Sequence, residues 1–394
     1  MEAVEGSGMA EIELGIGKTA RRAYGFDEIS IVPSRRTRDR DDVDISWQID
    51  AFTFQLPLLA SAMDAAVSPK TAVEIGQLGG LAVLNLEGLW TRYEDPDPIY
   101  EEIASLPDAE ATHRMQEIYL EPIKEDLIYK RIRQVKEGGV VAAASLTPQR
   151  VERYHKIALD AELDILVIQG TVVSAEHVST RTEPLNLKEF IAHYELPVIV
   201  GGCASYETAL HLMRTGACGV LVGVGPGAAC TTRGVLGIGV PQATAIADAA
   251  GARTRHLQET GRYVHVIADG GMRTGGDIAK AIACGADAVM IGSPLTRAAE
   301  APGRGYHWGM ATFHPELPRG ARVKTKTVGT LRDILVGPAP VNDGTMNLFG
   351  ALKTSIADTG FQSVRDFQRV EVAYSPSFLS EGKTYQRAQG VGMG

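Results

Sequence analysis

Eight short, almost wholly apolar segments recur along the chain between residues 56 and 293. They are rich in Val, Ile, Leu and Ala and show no alternation of polar and apolar residues. This pattern is typical of parallel strands that are buried on both faces. We predict strands over 56–61, 80–84, 138–144, 165–168, 198–202, 219–224, 264–271 and 288–293.

Segments with a helical pattern separate these strands. We expect helices over 69–78, 186–194, 206–215, 242–250 and 277–283, and another opened by Thr147 as N-cap with Pro148 at the first helical position. Eight strands in a regular β-then-α order favour a closed (β/α)8 TIM barrel over an open doubly wound sheet. The expected fold is one α/β domain over 1–394, with its core at about 54–295 and 345–372.

Three stretches break the rhythm of the barrel. Residues 86–136 form a charged, Pro-interrupted insertion after the second strand, with helical patterns over 100–106 and 121–135. The chain after Ser293 is irregular and rich in proline. The C-terminal tail is 373–394, and its last residues, 381–394, are polar and Gly-containing and are expected to order only against another subunit.

Composition excludes several classes of function. A net charge of −9 with only short basic clusters argues against nucleic acid as the main partner. No apolar run approaches the roughly 20 residues that cross a bilayer, and we expect no secretion signal. The four cysteines are scattered, which indicates neither a zinc site nor a disulfide framework. We therefore expect reduced thiols and a cytoplasmic protein.

The sixth predicted strand runs into a glycine-rich turn over 223–227 that delivers Cys230, followed by Thr231, Thr232 and Arg233. A nearby guanidinium and free backbone amides favour the reactive thiolate. From these residues alone, a nucleophile and a structural cysteine are equally open. The other three cysteines are interpreted as small buried hydrophobes.

A second group of residues follows the seventh and eighth strands. Asp269 precedes Gly270 and Gly271, and Gly292 precedes Ser293. In eight-stranded α/β barrels these two loops commonly hold a phosphate, and an Asp there is suited to accept from two ribose hydroxyls. The alternative is that the glycines only form tight turns.

The end of the first strand carries Ser61 and Met63. Ser61 is suited to a phosphate or a sugar. Met63 either lies against a planar base or belongs to the core. Taken with the loops above, these residues predict a phosphorylated ligand that faces Cys230 across the barrel mouth.

Three motifs resemble those of the IMP dehydrogenase and GMP reductase family: GVGPGAACTTRGVLGIGVPQATAI, IADGGMRTGGDIAKAIACGADAVMIGS and PLLASAMDAAVS. The resemblance covers about 24–295 in order and resumes weakly over 348–370. It implies that Cys230 attacks C2 of IMP and that hydride leaves to NAD. It further implies that the resulting thioimidate is hydrolysed to XMP.

The resemblance also implies a role for each matching position. Asp269 would hold the ribose, Gly271, Gly292 and Ser293 the phosphate, and Thr232 the attacking water. The remaining nucleotide contacts would be Ser61, Met63 and Gly227, and the NAD contacts Asn85, Gln169, Gly223 and Gly225. Backbone carbonyls of Gly225, Gly227 and Cys230 would bind a monovalent cation such as K⁺.

The chain also departs from the family pattern. The place of the usual pair of CBS modules, between the second helix and the third strand, holds only residues 86–136. We expect the purine-contacting Tyr-Arg-Gly-Met-Gly-Ser segment to be replaced by 325–330, and the flap with its Arg-Tyr pair to be reduced to about 333–347. These departures are similar to those of the CBS-less branch known as IMP dehydrogenase-related.

A shortened flap leaves the water-activating base open. The candidates are Arg233 or the tail pair Tyr385 and Arg387. In the tail, 381–383 resembles the family's intersubunit cation segment, with Lys383 in place of a glycine. We expect the Lys383 ammonium to substitute for the cation.

Three functions follow from the resemblance. The first is NAD-dependent IMP dehydrogenation in guanine nucleotide synthesis, in a homotetramer without regulatory modules. The second is GMP reduction with NADPH, against which Leu331 stands where the reductases carry a glutamate. The third is a non-catalytic purine-nucleotide-binding regulator, against which stands the retention of Cys230, Thr232, Asp269 and Ser293 together.

Overall fold

The computed structural model describes residues 11–178, 180, 184–309, 322–376 and 382–390. Its centre is a closed barrel of eight parallel strands in chain order. The last strand pairs with the first through Met290 and Leu59, so that the sheet has no free edge. The strands are β1 (Leu58–Ala60), β2 (Leu81–Asn85), β3 (Ala143–Leu146), β4 (Ile165–Gln169), β5 (Val198–Cys203), β6 (Gly219–Val222), β7 (His265–Asp269) and β8 (Ala288–Ile291). The predicted (β/α)8 barrel is confirmed.

Eight helices alternate with these strands in the sequence. Ser68, Ser205 and Thr274 cap three of them by accepting from a backbone N–H of the first turn, which is why those helices begin where they do. The helices are α1 (Pro69–Gln77), α2 (Glu125–Glu137), α3 (Val151–Asp160), α4 (Leu187–His193), α5 (Tyr206–Met213), α6 (Gln242–Thr260), α7 (Gly275–Ala283) and α8 (Leu348–Asp358). α8 packs against α7 and so completes the ring of barrel helices. The irregular stretch between β8 and α8 therefore lies outside the regular β-then-α order of the barrel.

An antiparallel pair, Trp47–Ile49 and Phe52–Phe54, packs on the same apolar cluster as the barrel interior. Trp47 Nε1 donates to Nδ1 of His265, the first residue of β7, at 3.2 Å. The pair therefore covers the N-terminal ends of the strands. The opposite, C-terminal end is left open for ligands, as is usual in barrels of this kind.

Two predicted boundaries around β3 were wrong. Gly138 ends α2 and Gly139 turns with φ +74°, so β3 begins at Ala143 and not at 138. The carbonyl of Thr147 accepts from Arg150 and Val151 in a turn, so α3 begins at Val151 without the predicted cap. Thr147 and Pro148 match the sequence pattern of a helix start, but residues 147–150 form a turn that precedes the helix.

The insertion is shorter than predicted. α2 packs between α1 and α3 as a barrel helix, so the additional residues are 86–124 and precede the second helix. They contain a 3₁₀ turn, Leu89–Thr91, and two helices, Asp97–Ser105 and Asp108–Ile118; the second helix was not predicted. Their apolar side chains form a separate cluster with Ala65 and Trp308.

The remaining elements lie outside the barrel. A hairpin precedes it, and the strand Val372–Tyr374 pairs with Ile29–Ile31 near the start of the chain. Among the described residues, no helix has the length and apolar composition needed to span a membrane. The other elements are Glu11–Gly15, Lys18–Arg21, Phe26–Glu28, Arg40–Asp42, Thr232–Leu236, Leu295–Arg297, Tyr306–His307, Val323–Lys324, Leu331–Leu335, Val364–Phe367 and Lys383–Ala388.

Candidate active site

A cavity of about 810 Å³ opens at the C-terminal ends of the barrel strands. This volume lies within the range of small-molecule binding sites. Most of the predicted site residues line it, although they come from five different strand ends. They are Ser61, Met63, Gln169, Gly223, Gly225, Gly227, Cys230, Arg233, Asp269, Gly271, Gly292 and Ser293.

Cys230 lies in the loop after β6 and is exposed to the cavity. Its thiol donates to Thr232 Oγ1 at 3.2 Å, and its backbone N–H donates to the Gly227 carbonyl at 3.0 Å. Burial raises the pKa of each of the other three cysteines, Cys203, Cys218 and Cys284, to about 12. Those thiols stay protonated at neutral pH, so Cys230 is the cysteine that is suited to attack a ligand.

The guanidinium of Arg233 joins the two ends of this loop. Its Nε donates to the Val224 carbonyl at 3.1 Å and its Nη2 to the Val240 carbonyl at 2.6 Å. A Cβ on Gly225 would lie 2.7 Å from Arg233 Cγ, and one on Gly239 would lie 2.6 Å from Arg233 Nε. The glycines therefore leave room for the arginine that shapes the loop. Burial lowers the pKa of Arg233, while attraction to a Cys230 thiolate raises it.

Asp269 ends β7 beneath the cavity. Its Oδ2 accepts a hydrogen bond at 3.1 Å from the side-chain amide of Gln169, which ends β4. Burial raises the pKa of Asp269 to about 7, and the Gln169 hydrogen bond opposes that rise. Gln169 is itself buried, and its amide is committed to Asp269. The carboxyl group is thus held in place and titrates near neutrality.

Gln242, the first residue of α6, is a functional candidate that sequence reasoning missed. Its buried amide donates to the Val222 carbonyl at 2.7 Å and to the Asp269 carbonyl at 3.1 Å. A Cβ on Gly223 would lie only 2.1 Å from that same Asp269 carbonyl. The ends of β6 and β7 are therefore locked together, which fixes the start of the Cys230 loop relative to Asp269. Gln242 belongs to the first family motif, GVGPGAACTTRGVLGIGVPQATAI, but nothing in the sequence distinguished it from its neighbours.

The two glycines after β7, which were predicted either to bind a phosphate or only to form a tight turn, have left-handed backbone conformations. Gly270 and Gly271 have φ of +78° and +82°, which favour glycine. A Cβ on either would lie 3.1 to 3.2 Å from Pro226 of the Cys230 loop. These glycines therefore allow the loop after β7 to pack closely against the loop that carries the thiol.

Met63 and Gly292 bring the ends of β1 and β8 together. A Cβ on Gly292 would lie 2.2 Å from Met63 Sδ. Beside them, Ser293 Oγ lies 3.1 Å from Nε2 of His307, a buried imidazole that the sequence analysis did not single out. Burial lowers the pKa of His307, so a neutral ring orients the serine hydroxyl.

The structure does not bring every predicted residue to the cavity. Asn85 lies outside the lining and accepts from the backbone of Glu87 at 3.0 Å. Thr232 is buried behind Cys230. The segment expected at the purine, 325–330, is also absent from the lining among the described residues, whereas Gly309 belongs to it. Among the described residues after β8, the cavity lining is therefore supplied by residues up to Gly309, and the segment 325–330 makes no part of it.

Of the tail candidates that the structure describes, neither Lys383 nor Tyr385 lines the cavity of this single chain. Lys383 donates to Gln386 at 3.1 Å within its own exposed helix, and Tyr385 is exposed. Glu381 and the side chain of Arg387 lie outside what the structure describes. Their proposed roles depend on a neighbouring subunit.

The residues present fit the two groups that the resemblance implies. For NAD, the wall around Gln169 continues through Thr171 and Val172, and the cavity has room beside the nucleotide loops. For K⁺, the loop supplies backbone carbonyl oxygens, which are suitable ligands, although the Gly227 carbonyl already accepts from Cys230. Within the described chain, no cluster of His, Cys, Asp and Glu could hold another metal ion.

Comparison with known proteins shows to which family the chain belongs. Residues 23–314 match the model of the IMP dehydrogenase / GMP reductase domain. An oxidoreductase of Mycobacterium tuberculosis, described as uncharacterized, is 49% identical over 91% of this chain and 98% of its own length. The inosine-5'-monophosphate dehydrogenase of Borreliella burgdorferi is 31% identical over 72% of each chain.

A solved structure agrees in fold as well. The crystal structure of an IMP dehydrogenase/GMP reductase-like protein from Corynebacterium glutamicum superposes with a TM-score of 0.88. It is 46% identical and matches over 93% of this chain and 98% of its own. The chain therefore belongs to the IMP dehydrogenase / GMP reductase family of oxidoreductases.

Proposed function

We propose that this protein oxidises IMP to XMP with NAD as the hydride acceptor. The observation that carries the proposal is the meeting of an exposed thiol, Cys230, with Asp269 and the glycine amides of two neighbouring loops in one cavity. Asp269 would accept from the ribose hydroxyls. The loops at Gly271 and at Gly292–Ser293 would bind the phosphate through backbone amides.

The reaction divides into two half-reactions at C2 of the purine. The Cys230 thiolate forms a bond to C2, and the C2 hydrogen leaves with its electron pair as hydride. NAD supplies the acceptor for that hydride. Water then adds to C2 of the thioimidate, the C–S bond breaks, and XMP, the thiolate and one proton are released.

The chain's own groups support both halves. The Thr232 hydroxyl accepts a hydrogen bond from the Cys230 thiol at 3.2 Å and so orients the sulfur. Because Thr232 is buried behind Cys230, the water-positioning role that the resemblance implies would require the loop to move. Attraction to a Cys230 thiolate opposes the lowering of the Arg233 pKa by burial, so the guanidinium is suited to lie beside the thiolate. Arg233 Nε and Nη2 donate to two backbone carbonyls of the loop. Arg233 therefore provides positive charge and holds the loop in place, and its role as the base that activates water is secondary.

Stopped-flow absorbance with IMP and NAD, run beside GMP and NADPH, tests the proposal. Steady formation of NADH with release of XMP supports it. A burst of NADH without turnover would mean that oxidation proceeds while hydrolysis does not. The absence of NADH together with consumption of NADPH on GMP would overturn it in favour of a reductase.

GMP reduction is the second candidate because the same Cys230 adduct serves it and because the flap over 333–347 carries no Arg-Tyr pair. Against it, the reductases carry a glutamate where this chain has Leu331, whose side chain is buried. A protein that binds IMP and turns over neither substrate pair would be the non-catalytic regulator.

We also propose a cytoplasmic homotetramer, in which the tail of one subunit reaches the Cys230 loop of its neighbour. In that assembly the Lys383 ammonium would take the place of K⁺ at the carbonyls of Gly225, Gly227 and Cys230. Activity measured with and without added K⁺, in the native chain and in Lys383→Ala, tests this. A native enzyme that needs added K⁺ contradicts the substitution.

A further inference from the structure

The residue after Met63 is a buried carboxylate that the chemistry above does not use. Asp64 Oδ2 accepts from the backbone N–H of Leu89 at 3.1 Å and from the hydroxyl of Tyr119 at 2.5 Å. Its carbonyl accepts from the Tyr100 hydroxyl at 2.6 Å. All three donors belong to the insertion, 86–124. The insertion is thus hydrogen-bonded to the strand end that carries Met63.

The Tyr119 hydroxyl has a second partner. The indole Nε1 of Trp308 donates to it at 2.7 Å, while the same hydroxyl donates to Asp64. Burial, followed by the nearby Asp64 charge, raises the pKa of Tyr119 well above its ordinary value, so it keeps the proton that it donates. One hydroxyl therefore joins the chain after β1 to the chain after β8.

Both joined segments continue into the cavity wall. Met63 precedes Asp64 and packs on Gly292. On the other side, Trp308 is fully buried, follows His307, which orients Ser293, and precedes Gly309 in the lining. Tyr119 itself lines no part of the cavity. Its hydrogen bonds therefore connect the two walls from outside the cavity.

We propose that Tyr119 is a positioning residue that sets the distance between the Met63 wall and the Ser293–Gly309 wall of the nucleotide site. The inference rests on the proposed function, since it takes the cavity to bind a purine nucleoside monophosphate. The insertion would then stabilise the substrate pocket by holding two of its walls at a fixed distance. Its effect should appear in nucleotide affinity and only weakly in the chemical steps.

The test compares Tyr119→Phe with Tyr93→Phe. The Tyr93 hydroxyl donates to the Ile118 carbonyl at 2.9 Å within the same insertion and makes no hydrogen bond to Asp64 or Trp308. We expect Tyr119→Phe to raise the Kd for IMP, measured by calorimetry without NAD, and the KM about tenfold, with kcat nearly unchanged. Tyr93→Phe should leave both Kd and KM close to those of the native protein.

Hydrogen exchange provides a readout that needs no substrate. In Tyr119→Phe, amide exchange over 62–64 and 306–309 should accelerate, and in Tyr93→Phe it should not. Trp308→Phe removes the indole donor, so its effect on Kd should not add to that of Tyr119→Phe in the double variant.

Unchanged exchange over 306–309 in Tyr119→Phe, additive effects in the double variant, or an equal rise of Kd in Tyr93→Phe would overturn the inference. If the native protein binds no IMP, the proposed function fails, and the exchange experiment still decides whether Tyr119 joins the two segments.

Discussion

The side-chain amide of Gln169 donates a hydrogen bond to Asp269 Oδ2 at 3.1 Å, joining the ends of β4 and β7 across the barrel mouth. The acceptor is a carboxyl group whose pKa burial raises to about 7. Gln169 therefore helps to decide the charge of the group proposed to hold the ribose. Gln169 was expected to face NAD; it lines the cavity, and its side-chain amide also contacts Asp269 and Met290.

This pair predicts a pH dependence of nucleotide binding. The ionised Asp269 accepts from two ribose hydroxyls, so affinity for IMP should rise as the pH rises through about 7. Calorimetry in the Cys230→Ala background separates this titration from that of the thiol. Asp269→Asn in the same background is the control, since it should retain only the titration of the ligand phosphate. An identical pH profile in the two proteins would contradict the prediction.

Stability should show the opposite trend. Because the pKa of Asp269 is raised from its ordinary value of 3.8 to about 7 in the folded protein, its neutral form favours folding and its charge opposes it. The stability that the raised pKa confers is complete below about pH 4 and is lost as the pH rises to about 7. Asp269→Asn should therefore gain in Tm over the native protein between these values and keep that gain above pH 7.

Removal of the Cys230 thiol should abolish turnover with either substrate pair. Cys230→Ala should still bind IMP, since Asp269 and the glycine loops remain. Cys218→Ala, at a thiol whose pKa burial raises to about 12, is the matched control and should retain activity. At pH 7, iodoacetamide followed by mass spectrometry should modify Cys230 first. Turnover by Cys230→Ala would disprove the covalent route.

Arg233→Lys should lower kcat by about tenfold or more, because an ammonium cannot reproduce the two fixed guanidinium contacts to Val224 and Val240. The loop over 223–241 should also become more sensitive to limited proteolysis. Arg214→Lys is the control: Arg214 makes an equally close pair with Glu259 on the surface, away from the cavity. Equal losses in both variants would point to a general loss of stability.

Gly292→Ala should raise the KM for the nucleotide steeply, because the added Cβ would lie 2.2 Å from Met63 Sδ. Gly276→Ala is the matched control: its nearest neighbour would be 3.7 Å away, so a methyl group fits there. Steady-state kinetics and thermal unfolding on both variants separate a displaced wall from a destabilised fold. A Gly292→Ala enzyme with the native KM would show that the Met63 wall can shift without consequence.

The barrel could be predicted because parallel strands that are buried on both faces have continuous apolar sequences. The cavity residues could be predicted because glycine, Asp and Cys come directly after those strands, at the end of the barrel where ligands bind. What the sequence could not reveal were contacts between distant residues. Gln242 locks two strand ends, His307 orients Ser293, and neither type of residue is unusual at its position.

The predicted insertion shows the limit from another side. The sequence analysis placed most of the helix Glu125–Glu137 in the insertion, because its pattern is the same whether it belongs to the barrel or to an added unit. Only its packing between α1 and α3 assigns it to the barrel. Likewise, a polar Asp64 beside Met63 gave no sign that its partner would be Tyr119.

The loop around Arg233 carries a consequence for how this sequence can diverge. Gly239 needs no unusual φ; it lacks a side chain because Arg233 and the Val224 carbonyl that Arg233 binds occupy the space. The residue types at positions 233 and 239 therefore depend on each other, because a side chain at 239 would overlap Arg233. Loss of the arginine alone does not free position 239, because an added Cβ would still lie 2.9 Å from the Val224 carbonyl. A side chain at 239 therefore requires a change in the loop backbone as well as a change at 233.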